Sequence, residues 1–215
     1  MQVETDGILI NLLAFSERDA IAHIFTRDNG VMVGLLRGAV VAKKNKPLVG
    51  QMGRVSWNAR VDSQLGVFHF ESEKNLSVSL MTNNDLLKIM NATFALIYAL
   101  IPERESYEHL YNGTVELLSN LPNAVAPRDL FLNWEIDLLR DLGYALDLTK
   151  CSGCGATHDL IYLSPKTGRA VCRDCGAPYA EKLYKLPINL DVTKRFIDNV
   201  CRVQGLEIPV ARKIL

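Results

Sequence analysis

Two Cys-x-x-Cys pairs constrain this chain more than any other feature of its sequence. Cys151-Ser-Gly-Cys154 and Cys172-Arg-Asp-Cys175 have the spacing of a four-cysteine zinc site. Gly153 and Gly155 ease the tight turn of the first pair, and Gly176 directly follows the second. Because four thiolates complete the tetrahedral shell of Zn²⁺, no position is left for water or substrate. We therefore predict a structural zinc ion, and any chemistry must be sought elsewhere.

The alternative for the same cysteines is a pair of disulfides in an exported protein. The chain does not begin with a charged region followed by an apolar one, so we do not expect it to be exported. A fifth cysteine, Cys201, lies in a helical pattern between Val200 and Val203. We expect it to be a small buried hydrophobe.

Composition narrows the class of protein further. The chain has 215 residues, 48% of them hydrophobic, which suffices for one or two domains with a real core. Its formal net charge is +0, so a nucleic-acid site would have to come from local clustering of cations. No apolar run reaches the length of a membrane span. The sequence contains neither a His-Glu-x-x-His nor a Gly-x-Ser-x-Gly motif, and it favours an intracellular protein that is not an enzyme.

The first eighty residues have the pattern of short β-strands. Apolar runs fall at residues 7–15, 20–26, 30–37, 54–60 and 67–71. Asn29-Gly30 between the second and third runs is a strong hairpin signal, and residues 62–66 predict another turn. Several short strands in so few residues predict a small closed barrel, because closure removes exposed edges. An OB-type barrel is our first choice and an SH3-like barrel our second.

From Asn84 the hydrophobic period changes from two to about 3.6 residues. Helical patterns fall at residues 84–101, 106–121, 127–143, 178–185 and 192–204. Pro127 suits a first helical turn, and Gly143 suits a C-cap. We therefore predict a multi-domain α+β protein, in which an N-terminal OB-type β-barrel is followed by an α-helical domain carrying a four-cysteine zinc finger. The predicted boundaries are residues 1–82 for the barrel, 83–150 and 176–215 for the helical domain, and 151–175 for the zinc finger.

Positive charge concentrates in the barrel region. Between Arg27 and Arg60 there are seven basic residues and one acid, Asp28. Lys43-Lys44-Asn45-Lys46-Pro47 has the composition of a loop between two strands, and such a loop suits a phosphate backbone. Our candidate DNA-binding residues are Arg37, Lys43, Lys44, Lys46, Arg54 and Arg60. The alternative is a loop whose lysines only keep it soluble.

Three aromatic residues of the same region, Trp57, Phe68 and Phe70, could offer stacking surfaces for bases. We interpret them, and Trp57 above all, as core residues, because small barrels are filled by side chains. A second group of cations beyond residue 165 is interleaved with acids, and we interpret it as solvated surface.

Several segments in a fixed order resemble the RecO family of bacterial recombination mediators. At the N-terminus these are Asp6-Gly-Ile-Leu-Ile, Phe25-Thr26 with Gly30, and Leu36-Arg-Gly38, followed by Trp57-Asn-Ala-Arg60-Val-Asp62. Further on they are Leu139-Arg-Asp-Leu-Gly-Tyr144, the cysteine pairs, Ser164-Pro-Lys-Thr-Gly168 and Ile208-Pro-Val-Ala-Arg212. The resemblance covers almost the full length, and the sequence stops soon after Arg212, where the family leads us to expect a few further residues.

The resemblance implies an OB domain, a helical domain and a zinc finger, in agreement with the patterns above. It also implies binding of single- and double-stranded DNA, annealing of complementary strands, and a cytoplasmic, nucleoid-associated location. The implied protein partners are RecR and the C-terminal tail of single-strand binding protein. We expect the tail to bind in a basic, apolar-lined pocket on the helical domain. The candidate cations would hold phosphates and screen the repulsion between two strands.

Two other functional classes fit parts of the sequence. One is a zinc-ribbon module that contacts a partner protein and has no role with DNA. The other is a redox enzyme with an active Cys-x-x-Cys, which would need a βαβ context that the sequence does not show.

Overall fold

A computed structural model describes residues 2–44, 46–60 and 65–215. Asn45 of the basic loop, residues 62–64 of the predicted turn, and Asp62 of the family resemblance therefore lie outside the described residues. The chain divides into two compact units, residues 1–127 with 209–215 and residues 128–208. The predicted boundaries at residues 82, 150 and 175 concern functional domains and stay predictions. In the described part of the chain, no helix is both long and apolar enough to cross a membrane.

Five strands of the first unit close into a barrel. They are β1 (Gln2–Ala14), β2 (Ala20–Thr26), β3 (Gly30–Leu36), β4 (Gln51–Asn58) and β5 (Gly66–Asn75). Their order is β1-β2-β3-β5-β4, with β4 returning to pair with β1 and β5 running parallel to β3. This is the order of an OB barrel and confirms the predicted fold class.

Strand β1 begins five residues before the predicted run because it pairs with two neighbouring strands. Residues from Gln2 to Ile8 pair with β4, whereas residues from Gly7 to Ala14 pair with β2. The register shifts between Leu9 and Asn11, and such a bulge bends a strand. A single bent strand therefore closes the barrel.

The barrel interior is filled by alternate residues of all five strands. Trp57 is 1% exposed and Phe68 is 4% exposed, while Phe70 packs partly buried against the same cluster. The indole Nε1 of Trp57 donates a hydrogen bond of 3.0 Å to the carbonyl of Val33. The prediction that Trp57 is a core residue is confirmed, so it is not a free surface for stacking.

The helices, numbered in chain order, are α1 (Asn84–Leu100), α2 (Glu108–Asn120), α3 (Pro127–Asp141), α4 (Arg173–Gly176), α5 (Leu190–Val203) and α6 (Val210–Lys213). Short 3₁₀ turns cover Leu121–Asn123 and Ala177–Lys182. The side chain of Asn83 caps α1 by accepting from the backbone N–H groups of Asp85 and Leu86. Gly143, with φ +86, ends α3 as predicted, and the N–H of Tyr144 returns to the carbonyl of Leu139.

A small sheet in the second unit contains Cys172, and the other paired cysteines lie in segments that flank its strands. Its strands are β6 (Leu160–Leu163), β7 (Ala170–Cys172) and β8 (Tyr184–Lys185), in the order β7-β6-β8. Residues 178–185 carry a helical pattern in the sequence, but they form a 3₁₀ turn and then β8. The reason is pairing at long range, because Tyr184 and Lys185 lie opposite Leu163 and Tyr162.

Candidate metal centre and nucleic-acid interface

The four paired cysteines converge as their spacing predicts. The Sγ atoms of Cys151, Cys154, Cys172 and Cys175 all lie within 4.8 Å of one another. With Zn–S bonds of about 2.3 Å, the sulfurs of a tetrahedral zinc site lie about 3.8 Å apart. The Cys154 and Cys172 sulfurs, 3.6 Å apart, are close to that separation. The chain is therefore shaped to hold a four-thiolate metal ion, and all five of its cysteines are free of disulfides.

Two local structures bring the sulfurs together. In the first, the N–H of Gly155, whose φ is +78, donates to the carbonyl of Cys151, and the N–H of Cys151 donates to that of Ala156. In the second, Cys172 ends β7 and Cys175 lies in the single turn of α4. Gly176 has a packing role, because a Cβ there would lie 2.3 Å from the ring of Tyr162.

Hydrogen bonds shift the pKa values of two of the four thiols in opposite directions. Backbone N–H groups, first that of Cys172 and then that of Cys154, lower the pKa of Cys151 to about 6. The side chain of Cys154 leads the hydrogen-bonding partners that raise the pKa of Cys175 to about 12. Four sulfurs this close cannot all be anionic without a compensating charge, and a divalent cation would supply it.

An ion pair beside the four cysteines links the second cysteine pair to Asp159, the residue before β6. Arg173 donates from Nε and from an Nη atom to the two carboxylate oxygens of Asp159, at 3.0 and 3.1 Å. This hydrogen bonding to Asp159 raises the pKa of Arg173. His158 is exposed and does not belong to the ligand cluster.

The connection between β3 and β4 carries most of the candidate DNA-binding cations. Arg37, Lys43, Lys44 and Lys46 are all exposed there, and Arg60 is exposed just after β4. Gly38, with φ +71, turns the chain away from β3, and its N–H donates to the carboxylate of Asp19 at 2.8 Å. The cationic side chains are thus displayed on one connection rather than buried in the barrel.

This connection forms one wall of a groove on the barrel, which we call the barrel groove. The groove has a volume of about 550 Å³ and is lined on one side by residues 36–39, Ala42 and Pro47. Its other side consists of Asn58 and residues 67–70. His69 is exposed and Phe70 is half-buried, so imidazole and phenyl surfaces lie in the same groove as Arg37.

Arg54 lies elsewhere, on the outer face of β4. Its Nη1 is 3.5 Å from a carboxylate oxygen of Asp6, and Glu71 lies opposite it on β5. The structure therefore groups Arg54 with acids and not with the basic connection. No observation tests the DNA-binding set, which stays a prediction.

Sequence patterns missed two exposed residues that the fold brings to the basic connection. The backbone of the β1–β2 loop is tied to it by the hydrogen bond from Val40 N–H to the carbonyl of Arg18, at 3.0 Å. Arg18 is exposed, and Phe15 of the same loop is 61% exposed. Glu17 and Asp19 offset the charge of Arg18 in the sequence, so no local cluster of cations marks it.

A second groove lies within the unit formed by residues 128–208. It has a volume of about 700 Å³, and its lining mixes cations, acids and apolar side chains: Lys194, Arg195, Arg202, Asp191, Asp198, Phe196 and Ile208 among them. The guanidinium of Arg195 lies 5.3 Å from the ring centroid of Tyr184, and Arg202 pairs with Asp198 at 3.3 Å.

Two residues discussed in the sequence analysis are removed from solvent. Arg212, from the second group of cations, is 1% exposed and thus unsuited to a surface contact. Cys201 is 0% exposed, as predicted, and burial raises its pKa.

Comparison with known proteins gives matches along most of the chain. The family model for the N-terminal part of recombination protein O matches residues 1–71, and the model for its C-terminal part matches residues 84–208. A DNA repair protein RecO from Rhizobium rhizogenes is 36% identical over 189 residues, which cover 87% of this chain and 72% of that protein. The RecO of Rhizobium johnstonii is 37% identical over 193 residues, covering 89% and 75% respectively. The RecO of Sinorhizobium medicae is 33% identical over 201 residues, covering 93% and 80%.

Proposed function

Because the chain belongs to the RecO family of DNA repair proteins, we propose that it acts as a DNA-binding mediator of recombinational repair in the RecF-type pathway. It anneals complementary strands and helps to load recombinase onto DNA coated with single-strand binding protein. No covalent bond is made or broken in this work. The role is non-enzymatic, and the protein acts at the nucleoid in the cytoplasm.

The observation that carries the DNA-binding proposal is the barrel groove, which Arg37 lines, together with the exposed cations near it in the chain. Exposed cations at Arg37, Lys43, Lys44, Lys46 and Arg60 offer the charge density that a phosphate backbone rewards. Phe70 in the groove and Phe15 on the neighbouring loop offer surfaces on which bases stack without regard to sequence. Both features suit a protein that handles single strands of any sequence.

Annealing follows from the same electrostatics. Two strands repel each other through their phosphates, and a cationic wall lowers that repulsion while bases find their partners. The cations contribute charge and not base readout, so pairing itself supplies the specificity. Arg54 contributes least, since Asp6 and Glu71 already offset its charge.

The zinc finger has a structural part in this proposal. We assign Zn²⁺ to the four cysteine thiolates because four sulfurs at these separations fit its tetrahedral shell. Bound zinc would fix the two cysteine pairs to each other and keep the small sheet folded. With all four ligand positions taken by protein, the ion has no open site for catalysis.

The protein partners belong to the proposal as well. RecR and the C-terminal tail of single-strand binding protein are the partners that the family resemblance implies. The groove among residues 128–208 supports a tail-binding role, because it sets the cations Lys194 and Arg195 beside the apolar surfaces of Phe196 and Ile208. The barrel of residues 1–82 is assigned to DNA and partner binding, with 83–150 and 176–215 as the helical domain and 151–175 as the zinc finger.

The experiment that tests this function is fluorescence annealing of two complementary oligonucleotides, one of them coated with single-strand binding protein, over a series of salt concentrations. We expect the zinc-loaded protein to accelerate annealing without a nucleotide cofactor and to lose that effect at high salt. If zinc-loaded protein does not accelerate annealing at low salt, the chain is instead a zinc-ribbon interaction module without a role with DNA.

A further inference from the structure

The four cysteines of the metal centre differ in their access to solvent. Cys151 is 2% exposed and Cys172 is 6% exposed, and Cys175 is half-buried. Cys154 is exposed. An oxidant dissolved in water therefore reaches Cys154 more readily than the two buried ligands.

The sulfur of this exposed cysteine also has a partner close by. Its Sγ lies 3.6 Å from the Sγ of Cys172, whereas a disulfide bond is about 2.05 Å long. Closing that gap requires the two sulfurs to approach by about 1.5 Å, which side-chain rotation and a small backbone shift can supply. Cys154 and Cys172 belong to different cysteine pairs, so their disulfide would replace the metal as the link between the pairs.

We propose that this four-cysteine centre is an oxidation site, at which a peroxide converts Cys154 and Cys172 into a disulfide and thereby releases the metal. The proposal rests on the zinc assignment made above. A metal site with only a structural role does not need to react, whereas here the cysteine thiolates themselves would be oxidised.

The reaction balances with hydrogen peroxide as the oxidant. The Cys154 thiolate attacks one peroxide oxygen, the O–O bond breaks, and the products are a sulfenic acid and hydroxide. The Cys172 thiolate then attacks the sulfenic sulfur, the S–O bond breaks, and a second hydroxide leaves. Two protons taken up from the buffer convert both hydroxides to water, and the two sulfurs have lost two electrons to the peroxide.

Loss of the metal follows because thiolates, and not disulfide sulfurs, are metal ligands. With two of four ligands removed, the two remaining thiolates hold zinc far less tightly. The local hydrogen bonds then lose their anchor, among them the 2.9 Å bond from Ser152 N–H to the carbonyl of Ala170. We expect the loosening to stay within the small sheet and its turns, residues 151–185, because the barrel strands have their own core.

Cys201 provides an internal control. It is 0% exposed and lies on α5 outside the four-cysteine cluster, so the same oxidant should leave it reduced. A Cys201→Ser variant should release metal as fast as the unaltered protein. Oxidation of Cys201 before metal release would contradict the proposal.

The test begins with the metal content of the full chain, measured by atomic absorption before any oxidant is added. Protein that neither contains nor takes up zinc refutes both the zinc assignment and this proposal, and a defect in annealing alone bears on neither. Zinc-loaded protein is then treated with graded hydrogen peroxide, while a chromophoric chelator reports free zinc and mass spectrometry maps the disulfides.

We expect one zinc released for every two thiols lost, a mass decrease of about 2 Da, and a peptide that joins Cys154 to Cys172. Dithiothreitol with added zinc should restore the metal content. A disulfide within one pair, such as Cys151 to Cys154, or zinc release with sulfinic acid only, would overturn the proposal. So would retention of zinc at peroxide concentrations that oxidise free cysteine.

A variant separates the reactive thiol from the ligand position. Cys154→His keeps four ligands, since three cysteines and one histidine also form structural zinc sites. We expect it to retain zinc and to release it at least tenfold more slowly under peroxide. Equal release rates from this variant and the unaltered protein would show that Cys154 is not the site of attack.

Discussion

At the scale of single residues, Gly30 shows how a turn and a long-range contact can depend on one position. Gly30 has a φ of +57, which suits the hairpin turn that Asn29-Gly30 predicts, and strand β3 begins at this residue. A Cβ added to Gly30 would lie 1.9 Å from the carbonyl oxygen of Glu105. The sequence predicted the turn but not the backbone that packs against it.

We expect Gly30→Ala to lower the free energy of unfolding by more than about 2 kcal/mol, because it adds a clash to the cost of a left-handed conformation. Gly38→Ala is the matched control, since Gly38 has φ +71 but open space around its Cβ position. The control should cost only about 1 kcal/mol. Urea unfolding of both variants measures the difference, and equal losses would contradict the role of the Glu105 contact.

Tyr111 is a second residue whose environment only the fold reveals. It is 0% exposed, and its hydroxyl finds no hydrogen-bond partner within the described part of the chain. Burial, followed by the charge of Asp6, raises the pKa of Tyr111 to about 12. Its ionisation in the unfolded chain occurs near pH 10.

The pKa of Tyr111 is higher in the folded protein than in the unfolded chain, because the fold disfavours the ionised form. The stability of the fold is therefore unaffected by ionisation of this group below pH 10 and falls as pH rises from 10 to 12. We expect Tyr111→Phe to be neutral or stabilising at pH 8, because it removes an unpaired buried hydroxyl. At pH 11 the variant should gain about 1 kcal/mol more over the unaltered protein. Urea unfolding at both pH values checks this, and a pH-independent difference would refute the assigned cause.

Phe15 is the residue for which exposure itself suggests a function. It is 61% exposed on a loop that hydrogen-bonds to the basic connection. We expect Phe15→Ala to weaken binding of single-stranded DNA by about 1–3 kcal/mol, through loss of base stacking, with little change in stability. Fluorescence anisotropy with a labelled oligonucleotide measures the affinity, and exposed Val125→Ala is the control.

At the scale of elements, the metal centre joins pieces that have little core of their own. Cys151, Val171 and Cys172 form a small buried cluster beside the sheet, with partly buried neighbours around them. We therefore expect a bound metal ion to contribute much of the folding free energy of this region. The barrel, by contrast, rests on a large apolar interior.

We expect Cys172→Ser to lose zinc and to lower the melting temperature, with increased hydrogen exchange at residues 151–185 and unchanged exchange in the barrel core. Cys201→Ser should keep the metal, because Cys201 lies outside the cluster. Zinc content and hydrogen–deuterium exchange are the measurements. Retained metal with an unchanged melting temperature in Cys172→Ser would disprove the site.

Element types were predictable where the local pattern was strong. The period of the apolar residues anticipated α1, α3 and α5, and alternation anticipated the five barrel strands. The pattern failed at residues 178–185, where pairing with β6 overrides a local helical preference. It also gave too short a β1, since polar residues at the start of that strand pair with β4.

At the scale of the whole molecule, the net charge of +0 conceals a separation of charge on the barrel. The β3–β4 connection carries exposed Lys43, Lys44 and Lys46, whereas Asp6 and Glu71 flank Arg54 on the outer sheet face. A protein with this distribution can attract DNA to one connection while repelling it from another face.

We expect the triple change Lys43→Glu, Lys44→Glu and Lys46→Glu to weaken DNA binding at least tenfold at low salt. The slope of log affinity against log salt should fall by about 2 for single strands, because three phosphate contacts are lost. A control with the same change in charge replaces exposed Lys74, Lys166 and Lys182 by Glu. Equal losses in the two triple variants would contradict a local binding site.

The sequence by itself predicted the four-cysteine cluster, the hairpin at Gly30 and the strands of the barrel, because each depends on a pattern of residues close together in the chain. Only the tertiary structure decided which charged residues lie near one another. It tied the loop carrying Arg18 and Phe15 to the basic connection, placed Arg54 among acids, and buried Arg212. Those outcomes depend on strand pairing and packing between distant segments, and such contacts leave no periodic pattern in a single sequence.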